Sequence, residues 1–357
     1  MKKLNRSLVT GAAGFVGRCL VAELLDRGDQ VVAVDRFSRF DPGDVDWTQP
    51  LIEAHATRKG NPPERMSVLR SDIRDTEAIT RVLSGVDQIF HCAAAVSTQS
   101  LAVSRSINVD ATEAIAKAAA SQPTPPVFVY LSSLAAAGPS DEAVNESDDC
   151  HPVSHYGRTK LEAESRLHGL AGELPITIIR PPCVIGPGDR NLLALYQTVR
   201  RGWNLVLSKT ALYSYISVVD LVPGLLTASV RGRRLSRPDA SGRIDPQRVG
   251  TYYLTDPKPV TFVQLADMIA ATIPIDRVRH VRVPEAIGWM IGGYGEILLR
   301  VLGQRVFLNL DKIREGVGGS WVCNGTRAAT ELSFAPAADL NARIEQTTQC
   351  YRQAGWI

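Results

Sequence analysis

Net charge is nearly absent from this chain: 40 Lys and Arg stand against 37 Asp and Glu, a formal +3. The densest basic cluster is the short run Arg231-Gly232-Arg233-Arg234. A nucleic-acid face needs a basic stripe, so composition gives no reason to expect a nucleic-acid partner. Cysteine is also scarce. The six thiols, at 19, 92, 150, 183, 323 and 350, contain no Cys-x-x-Cys spacing. Neither a disulfide framework nor a thiolate zinc site is indicated, and free thiols in a reducing, cytoplasmic setting are expected. MKKLNRS runs straight into LVTGAAG, without the apolar stretch and cleavage site of a secretion signal. Uninterrupted apolar runs of membrane-span length are missing. The nearest, Ala286–Leu302, holds Glu296, Arg300 and four glycines. It reads as an amphipathic or buried helix pair and leaves peripheral membrane contact open. There is no low-complexity tract.

What the chain does have is alternation. At 357 residues and 45% hydrophobic it can bury a large core. Short apolar runs (SLVT, VVAVD, MSVLR, QIFHCAA, VFVYLSS, ITIIRPP) alternate with helical patterns (GFVGRCLVAELLDRG, AITRVLSG, SINVDATEAIAKAAA, RTKLEAESRLHGLAG). Strands apolar on both faces are covered by helices on both sides. The expectation is an α/β fold, a doubly wound parallel sheet. A polar excursion over 37–63, with a short helix near 51–58, interrupts it. Residues 1–182 are assigned to this domain, with returns near 212–230 and 249–256. Residues 183–211 and 257–357 are assigned mainly to a smaller, interleaved substrate lobe, with a helix over TFVQLADMIAATI capped by Thr261.

The stretch TGAAGFVG places Gly11, Gly14 and Gly17 between a strand and a helix. Such a turn brings backbone N–H groups of Gly11, Ala13, Gly14, Phe15, Val16 and Gly17, and the helix N-terminus, against a pyrophosphate. Eighteen residues after Gly17, Asp35 ends the next strand. A carboxylate there accepts the hydroxyls of an adenosine ribose and repels a 2'-phosphate, which argues for NAD over NADP. Arg36 beside it can stack on adenine. Asp72, with Ile73 as an apolar wall, is placed to accept from the adenine amino group. Ala93 and Ala94, small residues ending the fourth strand, let the cofactor approach the backbone. His91 reads as a satisfied core histidine.

Tyr156 and Lys160 stand four apart, on one helix face. An ammonium beside a phenol favours phenolate, so Tyr156 becomes a candidate acid and base near neutral pH; Lys160 can also hold a nicotinamide ribose hydroxyl, which places Tyr156 and Lys160 among the candidate cofactor contacts. Ser133 ends the strand VFVYLSS at the sheet edge where ligands bind. It is the candidate to orient a substrate oxygen, with Ser132 as its neighbour. Asn108 is a candidate to hold a water or local backbone. Cys150, His151 and His155 fit no strong metal template, and no metal is expected.

Together TGAAGFVG, Asp35, Asp72, HCAAA, Asn108, LSS and YGRTK resemble the extended short-chain dehydrogenase/reductase family, the NAD-dependent epimerase/dehydratase superfamily. That resemblance implies a Rossmann-type fold, NAD as cofactor, and Ser133, Tyr156 and Lys160 as the catalytic set. It also places Pro182 and Val184 among the cofactor contacts. RPPCVIGPGDR, YISVVDL, TYYLTDPKPVTF and WVCNGT look like the 3β-hydroxysteroid dehydrogenase-like branch. The implied activity is oxidation of a hydrophobic secondary alcohol, a sterol or steroid by resemblance. The alternatives are a sugar-nucleotide 4-epimerase and an NADP-dependent ketone, aldehyde or β-keto acid reductase. Epimerases usually carry an Asn where this chain has Pro182-Cys183. Many relatives dimerise through the YxxxK helix, so a homodimer is expected, paired through an apolar face of LEAESRLHGL.

Overall fold

The computed structural model describes residues 5–36, 65–96, 100–245, 247–275, 277–302 and 310–357. The 37–63 excursion with its expected helix, and most of RVFLNL, fall outside the described residues. Strands run in chain order as β1 (Arg6–Thr10), β2 (Gln30–Asp35), β3 (Met66–Arg70), β4 (Gln88–His91), β5 (Val127–Leu131), β6 (Ser140–Val144), β7 (Ile176–Ile179), β8 (Cys183–Ile185), β9 (Trp203–Val206), β10 (Leu212–Tyr213), β11 (Tyr215–Ser217), β12 (Thr251–Tyr252), β13 (Val260–Thr261), β14 (Arg279–Arg282) and β15 (Trp321–Cys323). Helices are α1 (Phe15–Asp26), α2 (Thr76–Thr80), α3 (Leu101–Arg105), α4 (Ala111–Ala120), α5 (His155–Gly169), α6 (Arg190–Arg200), α7 (Val218–Arg231), α8 (Phe262–Thr272), α9 (Glu285–Leu302), α10 (Leu310–Val317), α11 (Thr326–Leu332) and α12 (Leu340–Gln353).

The doubly wound sheet is present. Seven strands pair in the order β12-β7-β5-β4-β1-β2-β3, all parallel. Alternate residues of each strand serve opposite cores, as a period of two requires. Leu8, Val32, Val34, Ile89, Phe128 and Tyr130 pack with Ile115 of α4 and Leu167 of α5. Val9, Val31, Ala33, Phe90 and Val129 pack with Leu20 and Leu24 of α1 and Leu225 of α7. Each fully buried aliphatic side chain contributes about 1.5–3 kcal/mol, so both faces must be covered and the strands read as continuous apolar runs. Pro223 lies inside α7 without ending it.

From β1 the strand order runs one way through β2 and β3 and the other way through β4, β5, β7 and β12. The reversal opens a crevice at the carboxyl ends of β1 and β4, where open α/β sheets bind ligands.

Beyond β7 the chain builds a second core. Leu192, Tyr196 and Val199 of α6 pack with Leu265 and Ile269 of α8 and Ile344 and Tyr351 of α12. The aromatic and aliphatic residues of LALYQTVRR thus form lobe core here. Thr261 caps α8 in a full capping box with Gln264. A four-stranded sheet, β13-β10-β15-β6, joins this lobe to the loop after β5. The stretch after Pro284 forms one helix, α9, instead of a pair. Among the described residues no helix is long and apolar enough to cross a membrane.

Most apolar residues of LEAESRLHGL turn inward: Ala163, Leu167 and Leu170 are buried and Leu161 is half-buried. Outward, Glu162 and Arg166 pair with Arg105 and Glu113. The face that α5 shows to solvent is therefore charged, which corrects the apolar pairing face expected for a dimer.

Candidate active site

The glycine loop is as tight as a backbone allows. Gly11 has φ +68°, and a Cβ there would sit 2.7 Å from the Ala93 nitrogen. A Cβ on Gly17 would sit 2.0 Å from the Gly11 carbonyl oxygen. Glycine at 11 satisfies both a left-handed conformation and the close approach of β4's exit. The helix that follows has no side-chain N-cap on Gly14. Its first N–H groups are therefore available to an anion, which fits a dinucleotide pyrophosphate. The loop also packs across the cleft, where Arg18 donates to the Gly188 carbonyl at 2.5 Å.

Asp35, at the end of β2, accepts from the Ala13 N–H at 3.1 Å. That bond joins the ribose-binding candidate to the glycine loop. Asp35→Ala is expected to weaken NAD binding about tenfold or more, since bonds to a charged acceptor contribute about 1.5–3 kcal/mol, and to narrow the preference over NADP. Titration calorimetry with both dinucleotides reads this; an unchanged ratio would remove Asp35 from the ribose site. Asp72 is held by Arg74, whose Nε and Nη2 donate to its carboxylate at 2.9 and 2.8 Å. These bonds keep its carboxyl below the ordinary range, with Arg36 4.0 Å away. Ile73 is buried in the sheet core, and Ala93 and Ala94 are half-buried at the β4 exit.

His91 is a core residue, as the sequence suggested. Its ring nitrogens contact the hydroxyls of Thr10 and Thr112 at 2.8 and 2.9 Å, and burial pushes its pKa down to about 3. Asn108 lies in a π-helical turn, Ser106–Asp110, between α3 and α4. Its amide is fully employed. Oδ1 accepts from Ala95 N–H at 2.7 Å, while Nδ2 donates to Ala95 O at 3.0 Å and to Thr159 Oγ1 at 2.9 Å. Thr159 in turn donates to the Tyr156 carbonyl. Asn108 therefore clasps the β4 exit to the helix of Tyr156. π-Turns recur at functional sites because the extra residue re-aims a side chain.

Ser132 and Ser133 separate cleanly. The Ser132 hydroxyl is buried and donates to Glu164 at 2.5 Å. Ser133, on the other side of the chain, is half-buried, accepts from Ala135 N–H at 3.1 Å, and lies within hydrogen-bonding reach of Tyr156. Helix α5 starts just before the tyrosine, with Ser154 as N-cap. Asp311 of α10 also reaches in, accepting from the N–H groups of His155 and Tyr156 at 3.0 and 3.3 Å. A carboxylate at a helix N-terminus is favourable, and this one ties the lobe to the tyrosine.

Spacing alone predicted a phenol with a lowered pKa. The structure corrects this: burial pushes Tyr156 well above its usual value, Glu315 pushes the same way, and only the Ser133 bond opposes them. Lys160 is buried with Nζ donating to the Leu131 carbonyl at 2.6 Å and Tyr130 Oη at 3.2 Å. It sits 6.0 Å from the centre of the Tyr156 ring. Burial lowers its own pKa to about 8. The helical spacing put both side chains on one face, but desolvation is the largest cause of both shifts. Pro182 is buried on the loop after β7, and Val184 is half-buried on β8. Pro181, next to Pro182, accepts from the Leu134 N–H at 2.8 Å. That bond brings this loop against the turn after Ser133. Among the described residues no group of His, Cys, Asp or Glu is placed to hold a metal.

Residues 7–240 match the family model described as "NAD dependent epimerase/dehydratase family". The chain belongs to that family. It is an NAD-dependent enzyme with a Rossmann-type fold. A 3 beta-hydroxysteroid dehydrogenase/Delta 5-->4-isomerase of Mycobacterium tuberculosis is 28% identical over 320 residues, 84% of this chain and 77% of its own. A ceramide reductase of Caulobacter vibrioides is 29% identical over 219 residues, 61% of this chain and 59% of its own. Among solved structures, MoeE5 in complex with UDP-glucuronic acid and NAD superposes with TM-score 0.70 at 23% identity, covering 98% of this chain and 100% of that one. At that identity the likeness speaks to the fold.

Proposed function

We propose that the protein interconverts an apolar secondary alcohol and its ketone with NAD, using Ser133, Tyr156 and Lys160. The observation that carries this reading is the setting of Tyr156. Its ring packs on an apolar cluster of Leu134, Ala135, Ala137, Tyr253, Trp321 and Cys323, with Tyr213 alongside. Cys183 is exposed on the strand that leaves Pro182, where sugar-nucleotide enzymes usually have Asn. Apolar side chains packed around the reactive phenol favour an apolar substrate. One relative that matches over 84% of the chain bears the name of a hydroxysteroid dehydrogenase, and another that of a ceramide reductase.

Gly11, Ala13, Gly14, Phe15, Val16, Gly17, Asp35, Arg36, Asp72, Ile73, Ala93, Ala94, Pro182 and Val184 would hold NAD, which when bound supplies the hydride acceptor. The protein's own residues handle the proton. In the oxidative direction the alcohol proton passes to the Tyr156 phenolate while Ser133 bonds the substrate oxygen and fixes its direction. Lys160 supplies the positive charge that favours loss of the phenol proton. In the reductive direction the neutral phenol, favoured by burial, is ready to donate. A panel of 3β-hydroxysteroids, 4-carboxysterols, long-chain 3-hydroxy acids and UDP-hexoses tests the reading with NAD and NADP in separate runs. Turnover confined to the apolar members with NAD supports it. Interconversion of a UDP-hexose moves the protein to the 4-epimerase reading, and preference for NADP moves it to the reductase reading.

The apolar reading has a counterpart on the surface. Ile287, Met290, Ile291 and Tyr294 form an exposed stripe at helical spacing on α9. Trp203, Leu205 and Val281 are exposed on the β9–β14 ribbon. Arg279, stacked 5.5 Å from Trp203, and Arg282 are exposed on the same ribbon, with Glu285 the acid among them. Apolar and aromatic groups next to exposed arginines suit the surface of an anionic bilayer. The protein is expected to co-sediment with vesicles containing phosphatidylglycerol and less with phosphatidylcholine alone, and Met290→Glu with Tyr294→Glu to abolish this. Equal binding by the double variant would reject the contact.

A further inference from the structure

Lys160 is buried, yet its bonds go to neutral oxygens, the Leu131 carbonyl and the Tyr130 hydroxyl. The nearest anion is one helical turn further along α5. Glu164 is 1% exposed and Arg180, after β7, is 0% exposed. Arg180 Nε donates to Glu164 Oε1 at 3.0 Å and Nη2 to Oε2 at 2.5 Å, a bidentate pair. Oε1 also accepts from the Ser132 hydroxyl. The remaining guanidinium donors go to Tyr253 Oη at 3.1 Å and Cys150 Sγ at 3.4 Å. Four segments that meet at the site are thus fastened at one buried ion pair: the β5 end, helix α5, the β7 exit and the chain just past β12, which carries Tyr253.

A buried ion pair is weak evidence for stability, since apolar packing of equal volume can replace it. Its presence beside an otherwise unpaired buried lysine calls for another account. We propose that Glu164 and Arg180 are positioning residues: the pair ties the strand end presenting Ser133 to the helix of Tyr156, and Glu164 supplies the buried anion that Lys160 lacks.

Other titratable groups near Lys160 do not fill that role. Tyr156 and Tyr130 are pushed up by burial. His91, at the end of β4, stays neutral with a pKa of about 3, and Cys92 is pushed up to about 12. Across pH 6.5–9.5 Glu164 is therefore the anion that favours the Lys160 ammonium, against the burial that lowers it to about 8.

The test uses NAD alone and rests on the reading that Lys160 contacts the bound cofactor. Calorimetric affinity for NAD is measured from pH 6.5 to 9.5. In the wild type it is expected to fall as pH passes about 8 and Lys160 loses its proton. Lys160→Met should flatten the curve. Glu164→Gln leaves Arg180 buried without its partner and can fail to fold, so Glu164→Gln with Arg180→Met is measured beside it. In the double variant the fall should begin about one pH unit lower, giving about fivefold weaker binding near pH 8, about tenfold near pH 9 and near-equal binding at pH 6.5. Ser132→Ala spares the ion pair and should leave the curve in place. A double variant that keeps the wild-type curve, a Ser132→Ala curve shifted as far as the double variant's, or a flat wild-type curve would each overturn the proposal. Substrate turnover is not used, so failure of the apolar-alcohol reading leaves this result intact.

Discussion

Tyr156→Phe is expected to lower turnover by about 10²–10⁴-fold, the usual contribution of a positioned acid–base group, while NAD affinity and melting temperature stay close to wild type. Phenylalanine keeps the ring against Leu134, Trp321 and Tyr213 and removes only the hydroxyl that Ser133 reaches. Ser133→Ala should fall in the same direction with a smaller loss, because its hydroxyl orients the oxygen but does not carry the proton. Single-turnover and steady-state rates on the same substrate, with calorimetry for NAD, separate chemistry from binding. A Tyr156→Phe enzyme within threefold of wild type would take Tyr156 out of the chemistry, whatever its position.

Gly17→Ala should act on the cofactor and leave the proton path alone. The added methyl would lie 2.0 Å from the Gly11 oxygen, 2.8 Å from the Gly11 carbonyl carbon and 3.0 Å from Ala12 Cα, all backbone atoms. No rotamer relieves such a clash, so the strand–helix turn must open. Overpacking of this kind costs about 1–3 kcal/mol, or about 5- to 150-fold if it falls on NAD binding. The expected result is a lower melting temperature, NAD affinity weaker by that factor, and loss of much of the thermal protection that NAD gives the wild type. Unchanged affinity would mean that the pyrophosphate lies elsewhere.

These two residues show what the sequence makes legible. The glycine loop and the Tyr156-Gly-Arg-Thr-Lys160 stretch each hold their geometry within one turn of chain. Spacing therefore fixes which groups share a turn or a helix face. Ser133 was read from its place after the strand and from the resemblance; the structure leaves it half-buried and buries Ser132. The alternation of apolar runs gave the parallel sheet for the same local reason. Protonation was less legible. Spacing put Lys160 beneath Tyr156, but desolvation depends on the whole sheet edge, and it raised the phenol instead of lowering it. Partners distant in sequence could not be read at all. Asp311 bonds the backbone of His155 across 156 residues, and Arg180 reaches Tyr253 across 73. Glu164 left a usable trace, since it stands four residues past Lys160 and eight past Tyr156 on the same helical face. The single long helix α9 was misread as a pair because its four glycines look like breaks, whereas Gly288 packs on Leu207, where a side chain would crowd.

The most direct measurement follows one hydrogen atom. A 3β-hydroxysteroid carrying deuterium on its carbinol carbon is incubated with the enzyme and NAD, and products are weighed by mass spectrometry. Oxidation of an apolar alcohol predicts deuterium in NADH, an equal amount of ketone, and loss of both in Tyr156→Phe. The contrary result is an inert steroid together with a C4-deuterated UDP-hexose that inverts and retains its label with no net NADH. That outcome would replace the apolar-alcohol reading with a sugar-nucleotide epimerase built on the same cofactor site.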